Sequence, residues 1–219
     1  MPRILFEKTG TAIWISHLDL MRLFQRAFKR AGLPLTHTRG FNPRPSVSIA
    51  LPLSVGIESR CELLDFELEG AGVSCAEIRQ RLNQALIAGV RVLDVYEDGK
   101  KIRELALLRC RLRLEYDAGI PSGAEAAVVR LFERPSLPVE KKGKNGVVEQ
   151  DILPMIRRLF VSSEQDGVLT ICSLVQCQNP SLNPMQLAAA IERYLPEYKP
   201  DFVTCSREEI YTVDETIFR

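Results

Sequence analysis

The sequence predicts an α+β protein of two tandem ferredoxin-like (split βαβ) domains, over residues 1–99 and 105–219. Three observations predict it. Segments of alternating hydrophobicity, the two-residue period of a half-buried strand, recur through the chain. Between them lie stretches whose apolar residues return every three or four positions, as on a helix with one buried face. Their order reads β-α-β-β-α-β up to Tyr96 and roughly so again from Ala106, with the polar DGKKIRE (98–104) as linker. The duplication rests on element order alone, with no residue-level repeat. A chain of 219 residues accommodates two domains of ordinary size, and 46% hydrophobic with 26% charged residues is the balance of a globular protein.

Arg3–Thr9 alternates as a first strand with Ile4 and Phe6 on one face. Ala12–Ile15 is apolar and either extends the sheet or enters the next helix. That helix starts at Ser16, an N-cap, with Asp19 three residues on completing a capping-box-like pair. Leu20, Phe24, Ala27, Phe28 and Ala31 form its buried stripe, and Gly32 followed by Leu33–Pro34 ends it. On its other side Arg22, Gln25, Arg26, Lys29 and Arg30 share the helical spacing. A solvated helix face ordinarily mixes signs and gains from i,i+4 pairs. Here the cations have only Asp19 nearby, an imbalance that a phosphate backbone would offset.

Leu35–Thr38 reads as a second strand and leads into Arg39-Gly40-Phe41-Asn42-Pro43-Arg44-Pro45-Ser46. Gly40 opens backbone conformations closed to other residues. Pro43 and Pro45 restrict both themselves and the residues before them, so the loop is braced and loses little entropy on binding. Arg39 and Arg44 suit forked contacts to phosphates, Phe41 offers a face on which a base stacks, and Asn42 reaches a base edge or closes the turn. The competing reading is a structural proline loop with Phe41 packed into the core.

Further along, Val47–Ala50 is a short strand, Glu62–Glu69 alternates with Leu64, Phe66 and Leu68 inward, and Ser74 caps a helix over Cys75–Ala88. Val90–Tyr96 closes the first half as a strand. In the second half Ala106–Tyr116 is a long strand, and Ser122–Glu133 a helix with Ala126, Val129 and Phe132 inward. Leu137–Gln150, with KKGKNG in its middle, is a hairpin or mobile loop. Asp151–Phe160 reads as helix or strand, Pro154 opposing a central strand. Gly167–Cys177 is a strand, Asn183–Leu195 a helix with Asn183 as cap and Pro184 at its first position, and Phe202–Val213 the last strand.

Net charge is +1, yet residues 1–60 carry nine Lys/Arg against three Asp/Glu, leaving the remainder at −5. The basic charge is concentrated around the braced loop, and the acidic second half is not the main polyanion surface. Six scattered cysteines with no CxxC pair read as reduced thiols, and the spacing of Cys172 and Cys177 is weak evidence for a metal, so neither a metal nor a cofactor is expected. No apolar run spans a bilayer, so no membrane contact is expected, and MPRILFEK lacks the apolar core of a signal peptide, which points to the cytoplasm. No P-loop, dinucleotide fingerprint or HExxH is present.

ISHLDLMRLFQRAFKRAGLP followed by TRGFNPRPSVSIALPLSVGIES resembles the radical-SAM-linked protein family of bacteria, closely over residues 3–70 and loosely beyond. The resemblance implies a radical-SAM protein as partner, since in some relatives this unit is fused to a B12-binding radical-SAM protein. It also implies an RNA context, from association with ribosomal-protein and ribonuclease genes. The chain has no cysteine triplet for a radical-SAM cluster and so is not itself the radical enzyme. A tandem ferredoxin-like pair is also similar in fold to the CRISPR repeat-processing endoribonucleases, but the glycine-rich loop before their last strand is missing here.

The expectation that follows is an RNA-binding protein, more a presenter than an enzyme, which offers tRNA or rRNA to a radical-SAM modification enzyme. Arg22, Arg26, Lys29, Arg30, Arg39 and Arg44 would hold phosphates, and Phe41 and Asn42 would meet bases. One alternative is a metal-independent endoribonuclease using His17 and His37 as base and acid, His being suited to proton transfer near neutral pH. Another is a protein–protein adaptor for the radical-SAM partner, its arginines meeting an acidic surface.

Overall fold

Contacts divide the computed structural model into two compact units, Met1–Ile102 with Arg219, and Arg103–Phe218. The structure describes residues 1–70, 72–143, 146–164 and 167–219. Helices and strands are mixed in both units, giving an α+β protein.

The first unit consists of β1 (Arg3–Lys8), a 3-10 turn (Gly10–Trp14), α1 (His17–Arg30), β2 (Val47–Ile49), β3 (Ile57–Phe66), α2 (Cys75–Ala85) and β4 (Val90–Tyr96). Its strands lie in the order β4-β1-β3-β2, and every neighbouring pair is antiparallel. Each helical crossover therefore skips one strand, which a strand from elsewhere in the unit then fills. One sheet face is apolar because strand alternation places Ile4 and Phe6 beside Leu64 and Phe66. Leu20, Phe24, Ala27 and Phe28 of α1 pack onto that face, with Phe24 edge-on to Phe6 at 4.7 Å and Phe28 tilted against Phe66 at 5.0 Å between ring centroids. Each such buried ring contributes about 1.5–3 kcal/mol.

Local chemistry sets the ends of α1. The Ser16 hydroxyl accepts from the Asp19 amide at 3.2 Å and donates to its carboxylate at 2.8 Å. At the other end Gly32 adopts φ +66°, its amide donates to Lys29 O at 3.2 Å, and the Leu33 amide donates to Phe28 O at 3.0 Å. That pair of bonds is the Schellman arrangement, and it turns Leu33 into the core.

Three expectations in this unit are corrected. Leu35–Thr38 is not a strand: it makes only isolated bridges, Leu35 to Leu68 and His37 to Pro45, and the second strand is Val47–Ile49. Pro34, Pro43 and Pro45 remove amide donors beside this segment and its partner, so a ladder cannot propagate. Ala12–Ile15 neither extends the sheet nor enters the helix: Ala12 to Trp14 belong to the 3-10 turn and Ile15 is its extended C-cap. The reason is Lys8. Its alkyl stem continues the buried face of Ile4 and Phe6, and its ammonium donates to Ile13 O at 3.0 Å and Ile15 O at 2.9 Å. A buried cation needs acceptors, and the turn supplies them. The second helix stops at Ala85 rather than Ala88, the chain bending back toward β4.

The second unit contains β5 (Leu107–Glu115), α3 (Ala124–Phe132), β6 (Pro138–Gly143), β7 (Gly146–Asp151), β8 (Ile156–Glu164), β9 (Val168–Gln176), α4 (Met185–Tyr194) and β10 (Phe202–Tyr211). Its strands follow the order β10-β5-β9-β8, again antiparallel, while β6 and β7 form a separate hairpin. Of the expected KKGKNG turn, residues 144–145 lie outside the described residues. Asp151–Phe160 resolves into a 3-10 turn holding Pro154 and the start of β8, which flanks only β9 here. The buried face of α3 is Ala124, Ala127, Val128 and Leu131, not Ala126, Val129 and Phe132. AEAAVVRLF carries apolar residues at both phases, and the wider stripe is the one buried. For α4, Asn183 acts as the cap ahead of the helix: its side chain accepts from the Met185 amide, and Gln186 accepts from the Asn183 amide, both at 3.1 Å. Among the described residues no helix is long and apolar enough to cross a membrane.

Candidate nucleic-acid interface

The braced loop is a finger. At its base the Ser46 amide donates to Thr36 O at 2.7 Å. One step outward the Thr38 amide donates to Arg44 O at 2.8 Å, and the Arg44 amide to the Thr38 hydroxyl at 3.0 Å. The base is tied to the chain beyond β3, where Thr36 donates to Glu67 through its amide at 2.9 Å and its hydroxyl at 3.0 Å. With Pro43 and Pro45 fixing φ on the return side, the finger holds its shape without a hydrophobic core of its own. Gly40, at φ +137°, lets the tip reverse.

Arg39, Gly40, Phe41, Asn42, Pro43 and Arg44 are all exposed, and Phe41 has 106% of its reference surface accessible. The reading that buries Phe41 in the core is therefore overturned. Its ring lies outside the core.

The basic face of α1 is also where the sequence places it, with Arg22, Arg26, Lys29 and Arg30 exposed. Two of the four are engaged. Arg22 pairs with Asp19 at 3.0 Å, and Arg30 donates to Ala85 O at 2.5 Å, covering a carbonyl at the end of α2 where the helix dipole favours a cation. The Ser16 hydroxyl and then Arg22 hold the Asp19 carboxyl below the usual carboxylate range. Arg26, Lys29, Arg39 and Arg44 form no salt bridge with a carboxylate among the described residues, although Arg26 adds to the field that lowers Asp19. The last turn of α1 and the finger thus carry uncompensated positive charge.

Between them lies an open hollow of about 430 Å³, lined by Gln25, Phe28, Lys29, Leu35, His37 and Glu69 among others. The buried Phe28, Leu33 and Leu35 lie beneath it, Pro34 and Pro45 form apolar walls, and Gln25, Lys29, His37 and Glu69 give it a polar rim. Sequence reasoning missed Glu69 and Leu35 as part of this site. The only available signal was proximity along the chain of Leu35 to the finger, because Glu69 arrives from beyond β3, its amide donating to Pro34 O at 2.8 Å.

The two histidines are not brought together. His17 opens α1 and its Nδ1 is buried without a hydrogen-bond partner among the described residues, whereas His37 lines the hollow beside Lys29 with its Nδ1 3.9 Å from Glu69. Lys29 lies twelve steps along α1 from His17, about 18 Å at 1.5 Å per residue. One proton-transfer site cannot use both. What remains is a surface of exposed cations and one exposed aromatic ring, with a hollow beside them.

The chain belongs to the family described as "Uncharacterized protein conserved in bacteria (DUF2344)", which matches residues 2–184. No curated protein matches the sequence. Among solved structures the fold is similar to a chain in "Crystal Structure of a Cbf5-Nop10-Gar1 Complex", with a TM-score of 0.52 and 7% identity, over 95% of this chain and 48% of that one. A weaker likeness, with a TM-score of 0.46 and 8% identity over 94% of this chain and 46% of the other, is to "Structure of H/ACA RNP bound to a substrate RNA containing 2'-deoxyuridine". This chain spans about half the length of these two solved chains, and at such identity the likeness concerns the fold alone.

Proposed function

We propose that this member of a conserved bacterial family is a non-catalytic RNA-binding protein of two tandem ferredoxin-like domains, which presents tRNA or rRNA to a separate radical-SAM modification enzyme. The observation that carries the reading is the finger: a fully exposed Phe41 held on a hydrogen-bonded, proline-braced scaffold between Arg39 and Arg44. Single-stranded RNA is recognised by stacking unpaired bases on aromatic rings while guanidinium groups hold phosphates. A pre-shaped loop loses little conformational entropy when it does so. Arg26 and Lys29 extend the cationic track toward the hollow.

The fold name is supported by the strand orders β4-β1-β3-β2 and β10-β5-β9-β8, each the split-βαβ pattern with a helix after its first and third ladder strands. The division into two compact units around Ile102 supports domains over 1–99 and 105–219. The partner comes from the resemblance of residues 3–70 to the radical-SAM-linked proteins. The test is to incubate purified protein with a mixed pool of tRNA and rRNA fragments, recover what is bound, and examine the RNA on a denaturing gel. Retention of intact RNA is expected. Shortened RNA would replace the presenting role with a nuclease, and no retention would leave the adaptor reading.

A further inference from the structure

We infer that the hollow beside the finger takes one unstacked guanine of a single-stranded RNA, with Glu69 reading its Watson–Crick edge. This inference rests on the RNA-binding reading above. The hollow's volume of about 430 Å³ lies toward the lower end of the roughly 300–1,000 Å³ typical of small-molecule sites. That suits one nucleotide. Pro34, exposed, and Pro45, half-buried, offer apolar surface to a base plane above the buried Phe28, Leu33 and Leu35. Lys29 at the rim, without a carboxylate partner among the described residues, is placed for the attached phosphate, and Arg44 and Phe41 on the adjoining finger serve the neighbouring nucleotide.

Glu69 is the informative residue. It is the one carboxylate lining a hollow whose surroundings are cationic, so it weakens any purely electrostatic attraction for RNA. A carboxylate is an acceptor only, with two oxygens side by side. Guanine alone among the four bases presents two adjacent donors, N1–H and the N2 amino group, on its Watson–Crick edge. Adenine and cytosine put a ring-nitrogen lone pair beside their amino group, and uracil flanks its single N–H with two carbonyls. All three would set acceptor against acceptor. The neighbouring carboxylate on the same segment, Glu67, is committed to the Thr36 hydroxyl. The Glu69 carboxylate is more than half exposed and only loosely approached by His37 Nδ1 at 3.9 Å, so it has room to turn toward a base.

The experiment uses the full chain and four fluorescent octauridine-based RNAs, identical except for G, A, C or U at the centre, read by anisotropy. The guanine oligonucleotide is expected to bind about ten- to a hundredfold more tightly than the other three, the discrimination of one good bidentate contact. Glu69→Gln, which presents one donor and one acceptor on an exposed side chain, should collapse that preference while leaving the melting temperature unchanged. Lys29→Ala should weaken all four equally. Equal binding of the four RNAs by the wild type, or an undiminished preference in Glu69→Gln, would overturn the inference while leaving the RNA-binding function standing. Binding of none of them, together with no retention from the tRNA and rRNA pool, would overturn both.

Discussion

Phe28 and Phe41 test whether the first unit separates stability from binding as its structure demands. Phe28 is fully buried against Phe66, whereas Phe41 has 106% of its reference surface accessible. Truncating Phe28 to alanine removes a packed ring and leaves a cavity, which costs about 3–5 kcal/mol. Truncating Phe41 removes nothing from the core, and exposed positions of this kind stay within about 0.5 kcal/mol of wild type. The ledger reverses for binding. Base–aromatic stacking is worth about 1–3 kcal/mol per base, so Phe41→Ala should weaken single-stranded RNA binding about five- to 150-fold. Urea denaturation gives the first quantity and fluorescence anisotropy the second, on the same preparations. A Phe41→Ala protein that is strongly destabilised, or that binds RNA as the wild type does, would refute the assignment of this ring to recognition.

Other consequences follow from particular contacts. The Asp19 carboxyl, held low by Ser16 and then Arg22, should titrate below the usual 3.8 in an NMR experiment. Because its folded value is depressed, its contribution to the helix start is present above the ordinary carboxylate range and is lost as pH falls through that lower midpoint. Ser16→Ala should move the midpoint back up and cost about 0.5–2 kcal/mol as a lost cap. Burial pushes the Cys110 thiol up to about 11 and those of Cys177 and Cys205 up to about 12. At neutral pH iodoacetamide should therefore leave these three unmodified in the native protein while the half-buried Cys75 and Cys172 react first, as counted by mass spectrometry. Gly89, at φ +84°, would place a methyl group 2.4 Å from Thr9 O and 2.8 Å from Ala12 Cβ. Gly89→Ala should cost about 1–3 kcal/mol, read as a lowered melting temperature.

Much of the first unit is written in local chemistry. Ser16, the stripe from Leu20 to Phe28, and Gly32 with Leu33 state where α1 begins, which face it buries and where it stops, and none of these needs a distant partner. The finger was equally legible, because proline and glycine act on their own backbone. What sequence reasoning missed depends on partners far along the chain. Leu35–Thr38 has strand-like residues, but the available edge of β3 is taken by Val47–Ile49. Lys8 sits at the same two-residue spacing as Ile4 and Phe6, a pattern that already places it inward. Its acceptors at Ile13 and Ile15, however, exist only once the 3-10 turn has formed. In α3 two apolar phases coexist in one short helix, and only packing chooses between them. Glu69 is illegible for the same reason: nothing local marks it, and the hollow exists only after the chain beyond β3 has paired with Pro34 and Thr36.

The most direct test of the RNA-facing surface is the salt dependence of binding to single-stranded RNA, wild type against Arg39→Ala/Arg44→Ala. Each phosphate neutralised on a single strand adds about 0.7 log units of affinity loss per log unit of salt, so removing two contacts should flatten the slope by about 1.4. Both side chains are exposed and outside the core, so the variant should fold as the wild type does. A flatter slope with weaker binding at low salt is the result expected if the finger holds the phosphate backbone. An unchanged slope and affinity would contradict it.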